Sequence, residues 1–547
     1  MKTRYIYLAL AGMVAVGTTS CTDNLDIDQH GVLNYETYYQ TEAEIESAIT
    51  AAYVQQKSLV MTVHLSKECL SGDFWSAGGT RGDNASYEEL NEFRFTSEQS
   101  GIQSWFSSYY SLINYANIVI DNVAKAEEKG TALANSDVAK RAAAEARVFR
   151  AWSYFELTTM WGNPPIVLHE LVSESEYAVP NGTAEELWAL MEKDLTDAIA
   201  SGKLSEKSSV NDVQWRITKQ YAQAILGKVY LWQKKNKPAA DILDEVINSG
   251  KYALYGENNK NEKFEDVIQM TAKNNCESMF ESQSVVDENN WEFNLYGAML
   301  RWRFEKFDMT AEFQSTYYTG QDYGFMNPTK ELYDAFASEE TPGKYGSRFL
   351  QTMKTVPEMA DMGGKLKNGK TVHGCEGYFF WKWRAGKNTD NPGGAMAGFS
   401  YCNNFRWMRF AEVLLLAAEA HIACNDAEGL ALAASYINRI RKRAKVDEQK
   451  SSYTLEELKL EKRLELVGEN VRYQDIQRWG DAPKLLKDFG SYCPVLYSNG
   501  NVEKKVFNND PNSYGYKTGK HELLPIPFNE IRLNANIKQN PGWGGLN

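Results

Sequence analysis

The residues best suited to chemistry in this chain are large aromatics that fall outside any helical stripe. Trp75 lies in SGDFWSAGGTRGDNAS, among Gly72, Gly78, Gly79 and Gly82. A ring of that size in a glycine-rich loop has little core to enter, so one face is expected to stay open. Asp73, Arg81 and Asp83 in the same segment supply a hydrogen-bonding rim. A flat ring beside such groups suits a ligand with apolar faces and polar edges. Trp291, Tyr296 and Trp302 are further off-stripe aromatics, read the same way. Trp381 and Trp383 share one face of a short strand and read as structure. Tyr and Trp number 31 and 14 against 23 Phe, a bias toward rings with a polar handle, which suit surfaces that meet ligands.

Other patterns invite chemistry and do not support it. Gly364 to Thr371 reads GKLKNGKT, a full match to the phosphate-loop pattern. That motif needs an apolar strand before it and a helix after it, so that backbone amides converge on phosphate. Here a strand-like VHGCEGYFFWKW follows, so the segment reads as a solvated hairpin turn at Asn368-Gly369. Arg81-Gly82-Asp83 matches a short adhesion tripeptide and reads as plain loop. His421 and Cys424 share a helix face, but no second pair accompanies them, so no metal is expected. Neither G-x-S-x-G nor H-E-x-x-H occurs. With 72 acidic residues, no carboxylate pair can be singled out for glycosidic cleavage. No catalytic residue and no cofactor is assigned.

The elements that position these residues follow a long leader. Lys2 and Arg4 precede an apolar stretch from Tyr5 to Val16, too short to span a bilayer. Thr18, Thr19 and Ser20 are small, and Cys21 follows. Residues 1–20 therefore read as a secretion signal. Small residues before Cys21 resemble a bacterial lipobox, in which the cysteine is acylated and becomes the mature N-terminus. Asp23, Asp26 and Asp28 beyond it resemble the surface-export signal of Bacteroidetes lipoproteins. The remaining cysteines are too few and scattered for a disulfide scaffold. The net charge of −13 makes nucleic acid a poor partner.

Helix signals dominate the body. Thr41 with Glu44, Thr183 with Glu186 and Thr454 with Glu457 form capping boxes. Further helices are expected over about 102–125, 137–160, 219–233, 410–423 and 427–443, and one from Pro238 to Gly250. Ala144, Val148, Ala151, Trp152, Phe155 and Met160 make an apolar stripe. Trp105, Trp152, Trp188, Trp215, Trp232 and Trp407 are read as core or pair-packing residues. Helices separated by short breaks predict antiparallel pairs stacked as a tetratricopeptide-like superhelix. The expected architecture is a mainly α body over 21–547. Its helical scaffold covers about 36–250 and 403–480. Irregular, loop-rich ligand-binding stretches cover about 71–100 and 251–400. A few short strands are expected, at Cys276–Val286 and Tyr378–Trp383.

Three C-terminal blocks carry a family resemblance. They are RWMRFAEVLLLAAEA from Arg406, EKRLELVGENVRYQDIQRWG from Glu461 and LLPIPFNEIRLNANIKQNPGW from Leu523. With AEARVFRAWSYFELTTMWGNPPIVL from Ala144 and NPTKELYDAFA from Asn327, they resemble the SusD/RagB family of outer-membrane lipoproteins. The resemblance implies a non-catalytic protein that captures glycans at the cell surface. Such a protein acts as a lid on a SusC-like TonB-dependent transporter, held to the membrane by its lipid. In the family, the loop corresponding to Trp75 often carries a ligand-stacking aromatic. A peptide-binding relative is the alternative, and a secreted hydrolase a more distant one. In the block from Glu461, Arg463, Arg472 and Arg478 are expected to pair with Glu461, Glu465, Glu469 or Asp475 along one helix.

The anchor gives the first test. Cys21→Ala is expected to release the protein from membranes or leave its leader uncleaved. Detergent phase separation reads this directly, and unchanged partition of the variant would exclude acylation of Cys21.

Overall fold

The computed structural model describes residues 38–544 except 63, 172–175, 260–261, 263, 285–295, 318–322, 341–346, 385–402 and 447. Cys21 and Trp291 therefore lie outside the described residues.

The caps legible in the sequence start real helices. Glu44 and Thr41 exchange backbone and side-chain hydrogen bonds at the start of α1 (Glu42–Thr62). Helix α2 (Ser100–Lys129) ends on Gly130 at φ 61°, a left-handed turn that costs glycine little. Ser136 caps α3 (Asp137–Trp161), and Thr183 closes a capping box on α4 (Ala184–Ala200). Helices α5 (Lys219–Trp232) and α6 (Asn236–Asn248) are joined by three residues, and α7 (Phe410–Cys424) and α8 (Ala427–Arg443) by two. Such short links force antiparallel pairing. The helices stack in the order α1, α2, α3, α4, α5, α6, α7, α8, so α6 packs on α7 across a gap of 161 residues that the loop-rich region fills. At Gly227, an added Cβ would approach Leu243 to 2.6 Å; the absence of a side chain lets α5 and α6 close. The result is mainly helical and tetratricopeptide-like.

Polar links tie these layers. Arg150 of α3 grips Asp194 of α4 with two bonds of 2.8 Å. Arg216 holds Glu145 of α3 at 2.6 and 2.7 Å and also Glu46 of α1. Trp215 beside it is 51% exposed, contrary to the core reading, because its segment precedes α5 rather than lying on a stripe.

Outside the scaffold, the strands are short and antiparallel. Ser278–Ser282 pairs with Phe405–Arg409, and Phe74–Ser76 with Met326–Pro328. Met353–Thr355 pairs with Tyr378–Phe380, and Phe307–Met309 with Gly364–Leu366. Val502–Lys505, Cys493–Tyr497 and Thr371–His373 make a three-stranded sheet. The GKLKNGKT segment does turn at Gly369, at φ 75°, but it is no hairpin. Its two arms join different sheets, and no helix follows. His421 Nε2 lies 3.0 Å from Asp244 Oδ2, which gives the ring a structural partner. Among the described residues, Cys69, Cys276, Cys375, Cys424 and Cys493 are free.

The block from Glu461 is not one helix. Helix α9 (Leu455–Leu466) stops at Val467, and Gly468 and Asn470 take positive φ before α10 (Arg472–Arg478). Its charges therefore pair across elements instead of along a helix, apart from Arg478 with Asp475. Glu465 meets Arg443 at 2.5 Å, Arg409 at 3.1 Å and Arg348 at 3.3 Å. Glu469 takes Arg409 at 2.6 Å and Lys382. Glu277, before the strand Ser278–Ser282, takes Arg443 at 2.9 Å and Arg409. All of these side chains are buried.

Breaking this layer leaves a charge unpaired in the interior. Glu465→Ala is expected to cost about 3–5 kcal/mol, read as a lowered denaturation midpoint. Burial pushes the Glu469 carboxyl up, but Arg409 and Lys382 outweigh it and hold it at about 2. Its contribution is therefore full above the ordinary carboxylate range, near 4.5, and is lost as pH falls toward 2. Stability is expected to drop steeply across that window. A flat acid limb in melts of the native protein, matching that of Glu469→Gln, would contradict this.

Candidate functional site

The segment singled out around Trp75 folds otherwise than a loop. Gly72 turns at φ 75°, and the strand Phe74–Ser76 follows at once. Trp75 is only 5% exposed. Its ring stacks on Phe489 at 4.9 Å between centroids and 27° between planes. Tyr492 lies 4.9 Å away at a tilt. Its Nε1–H donates to Glu376 Oε2 at 2.9 Å. The expectation of an open ring face is thus corrected: a distant segment, Phe489 to Tyr492, supplies the core that the local sequence lacked.

Asp73 is 1% exposed and forms a polar floor. Its Oδ1 accepts from Arg463 Nε at 2.7 Å, and Arg472 Nε stands 3.8 Å from Oδ2. Burial pulls the Arg472 guanidinium down from its ordinary value, with Asp73 opposing. Oδ2 and that Nε are both buried without a hydrogen-bond partner. Floor and aromatic wall enclose a cleft of about 170 Å³, rimmed also by Glu331, Leu485 and Asp488. Aromatic side chains thus line one side of the cleft and charged hydrogen-bonding groups the other.

Arg81 and Asp83, later in the same segment, are not among the residues lining the cleft. Arg81 grips Glu92, reaches Glu88 at 3.3 Å and lies 4.9 Å over the ring of Phe507. Asp83 accepts from Gly79 N at 2.8 Å and from Arg303 Nη1 at 2.5 Å. Both hold the loop in shape while keeping a partly exposed edge. Of the other off-stripe aromatics, Tyr296 and Trp302 are core. Tyr296 has no exposure; its hydroxyl donates to Gly468 O at 3.0 Å, and its ring meets Trp383 edge-on. Trp302 is buried against Phe307 and Phe313 in a second, smaller core. Neither lines the cleft.

Sequence reading passed over Arg463, Arg472, Phe489 and Tyr492. The two arginines were absorbed into helix pairing. The aromatics stand in DFGSYCP, where a glycine between two rings outside any helix was the available signal. Because Trp75 is packed and not displayed, Trp75→Ala is expected to destabilise by about 3–5 kcal/mol. Thermal melts check this, and an unchanged midpoint would return Trp75 to the open-loop reading.

Comparison with known proteins follows the fold and the cleft. The profile described as "Starch-binding associating with outer membrane" matches residues 23–231, and the SusD family profile matches 276–543. A SusD-like protein of Bacteroides ovatus is 25% identical over 509 residues, covering 88% of this chain and 83% of its own. SusD-like protein P2 of Formosa agariphila is 24% identical, covering 96% and 97%. A laminarin-binding SusD-like protein superposes at TM-score 0.74 with 25% identity, over 92% of this chain and the whole of that one. Surface glycan-binding protein A from Bacteroides fluxus superposes at TM-score 0.70 with 24% identity, again over 92% and 100%. With both profiles matched in chain order on one shared fold, the chain belongs to the SusD family.

Proposed function

We propose that this chain binds glycan at the outer membrane and passes it to a SusC-like TonB-dependent transporter. The observation that carries the reading is the cleft at Trp75. Sugars offer C–H faces and hydroxyl edges, and the cleft sets an aromatic wall of Trp75, Phe489 and Tyr492 beside a floor of Asp73, Arg463 and Arg472. A similar laminarin-binding protein, and similar structures solved with laminarihexaose and xylogluco-oligosaccharide, support a glycan ligand. The family profile's description supports outer-membrane association. Among the described residues, no helix is long and apolar enough to cross a membrane, which agrees with attachment through a lipid on Cys21. The role is capture and hand-over, with no bond broken.

Tyr492 is the informative residue, since it is only half-buried and lines the cleft. Loss of one stacking platform corresponds to about 1–3 kcal/mol on the scale known for bases, or roughly five- to a hundred-fold in affinity. Calorimetry with laminarihexaose and xylogluco-oligosaccharide is expected to show binding that Tyr492→Ala weakens by that factor, with a melting midpoint lowered far less than by Trp75→Ala. Binding of either sugar that Tyr492→Ala leaves intact would move the site elsewhere. Absence of binding to any glycan panel would sink the reading.

A further inference from the structure

The phosphate-loop look-alike carries three lysines within six residues, at Lys365, Lys367 and Lys370. The fold gathers them with three more. Lys367 N donates to Lys306 O at 2.9 Å, which sets that strand beside the turn. Gly369 N donates to Ser498 Oγ at 3.2 Å, which sets the turn against the tip of the C-terminal hairpin. The hairpin bears Lys504 and Lys505. In a chain with 72 acids and a net charge of −13, these lysines stand out. Among the described residues, Lys306, Lys365, Lys367, Lys370 and Lys504 make no ion pair, and Lys367 Nζ donates to Glu305 O at 3.1 Å. The carboxylates close by are otherwise engaged or set apart. Glu305 takes Arg303, Glu503 takes the Tyr497 hydroxyl and Lys505, and Asp308 faces Lys365 only as a register partner.

Aromatic rings alternate with the cations. Lys504 Nζ sits 4.3 Å over Tyr492, and Lys505 Nζ sits 5.5 Å over Tyr497. Phe507, 51% exposed, lies under the Arg81 guanidinium. Positive potential converges on His373, which burial and then Lys505, Lys306 and Arg81 hold below its ordinary pKa. Tyr492 belongs also to the wall of the cleft, so Lys504 adjoins the candidate site, while Lys505 stands on the other face of the hairpin.

We propose that this surface takes the anionic substituents of an acidic glycan, carboxylate or sulfate, while the sugar rings pack on Phe507 and reach the Trp75 cleft past Tyr492. The inference rests on the glycan-binding reading and names the class of glycan. Unpaired ammonium groups attract anions at a distance, and rings between them select a sugar chain over a bare ion. A membrane surface of anionic headgroups would use the same charges but gives the rings no stacking partner, and continuity with the cleft favours the sugar.

The test is calorimetry of the full mature chain with three probes: oligogalacturonate for carboxylate, carrageenan oligosaccharide for sulfate, and laminarihexaose as neutral control. One anionic probe is expected to bind at least about ten-fold tighter than the neutral one at low salt. Raising salt from about 0.05 to 0.5 M, where screening shortens to a few ångströms, is expected to erase that advantage. Lys504→Glu with Lys505→Glu, and separately Lys367→Glu with Lys370→Glu, are each expected to remove about ten-fold or more of the anionic affinity. Neutral binding and the melting midpoint should hold. Phe507→Ala should weaken the anionic sugar several-fold, which charge alone would not predict. Neutral binding with no anionic preference, or charge reversals without effect, would overturn this inference and leave the glycan reading standing. Loss of all sugar binding would overturn both. Salt-sensitive binding to phosphatidylglycerol vesicles with none to the anionic sugars would reassign the surface to the membrane.

Discussion

Glu465, with no exposure, faces Arg348, Arg409 and Arg443, and the union of scaffold and loop region depends on that contact. Arg443 closes α8, Arg409 ends a strand, Arg348 lies in the helix Ser347–Thr352, and Glu465 sits on α9. Burying so many charges costs several kcal/mol each unless every one is matched. Matching is directional, because a guanidinium is a planar fork that accepts a carboxylate only along its N–H axes. An apolar layer of equal volume would tolerate sliding by a residue. This layer holds one register, and it extends outward through Lys382 to the carbonyls of Glu465 and Val467, and through Arg348 to Glu340 and Glu461. The loops that shape the ligand face are thereby fixed to the helical scaffold.

Much of the scaffold was legible for local reasons. A capping box such as Thr183 with Glu186 spans four residues, and the physics that starts the helix is contained in them. Helix α8 begins after its Asp426 cap and ends among Arg441, Lys442 and Arg443, both of which are visible in the string. The block from Glu461 was misread because its local pattern admits two solutions. Acids and arginines at helical spacing can pair along a helix or across a core, and Gly468 is the one sign that the helix stops. That same block helps carry the family resemblance, and its acids are the centre of the buried layer.

The ligand face was far less legible. Its strands are three to five residues long, and their partners are remote: Trp75 pairs with Asn327, and Val495 with His373. No periodicity survives at that length. Trp75 looked open because glycines surround it in the chain, whereas in space Phe489 covers it from more than 400 residues away. Tyr296 and Trp302 show the converse limit. Off-stripe position separates a residue from a helix, but it does not separate it from a core built by loops.

The cleft joins these two kinds of order. Its floor is an outlying branch of the charge layer: Arg463 stands two residues before Glu465 on α9, and Arg472 opens α10. Its wall comes from Phe489 and Tyr492 on the connection to the C-terminal hairpin, held to the body by stacking and a few hydrogen bonds. The two halves respond differently to change. Altering the floor unpairs a buried carboxylate, Asp73, and the penalty falls on folding. Altering Phe489, Tyr492 or the hairpin changes partly exposed groups, and the effect falls more on what is bound. In the proposed site, selectivity for the sugar therefore falls to Phe489, Tyr492 and the basic hairpin beside them, while the floor supplies the fixed geometry that both address.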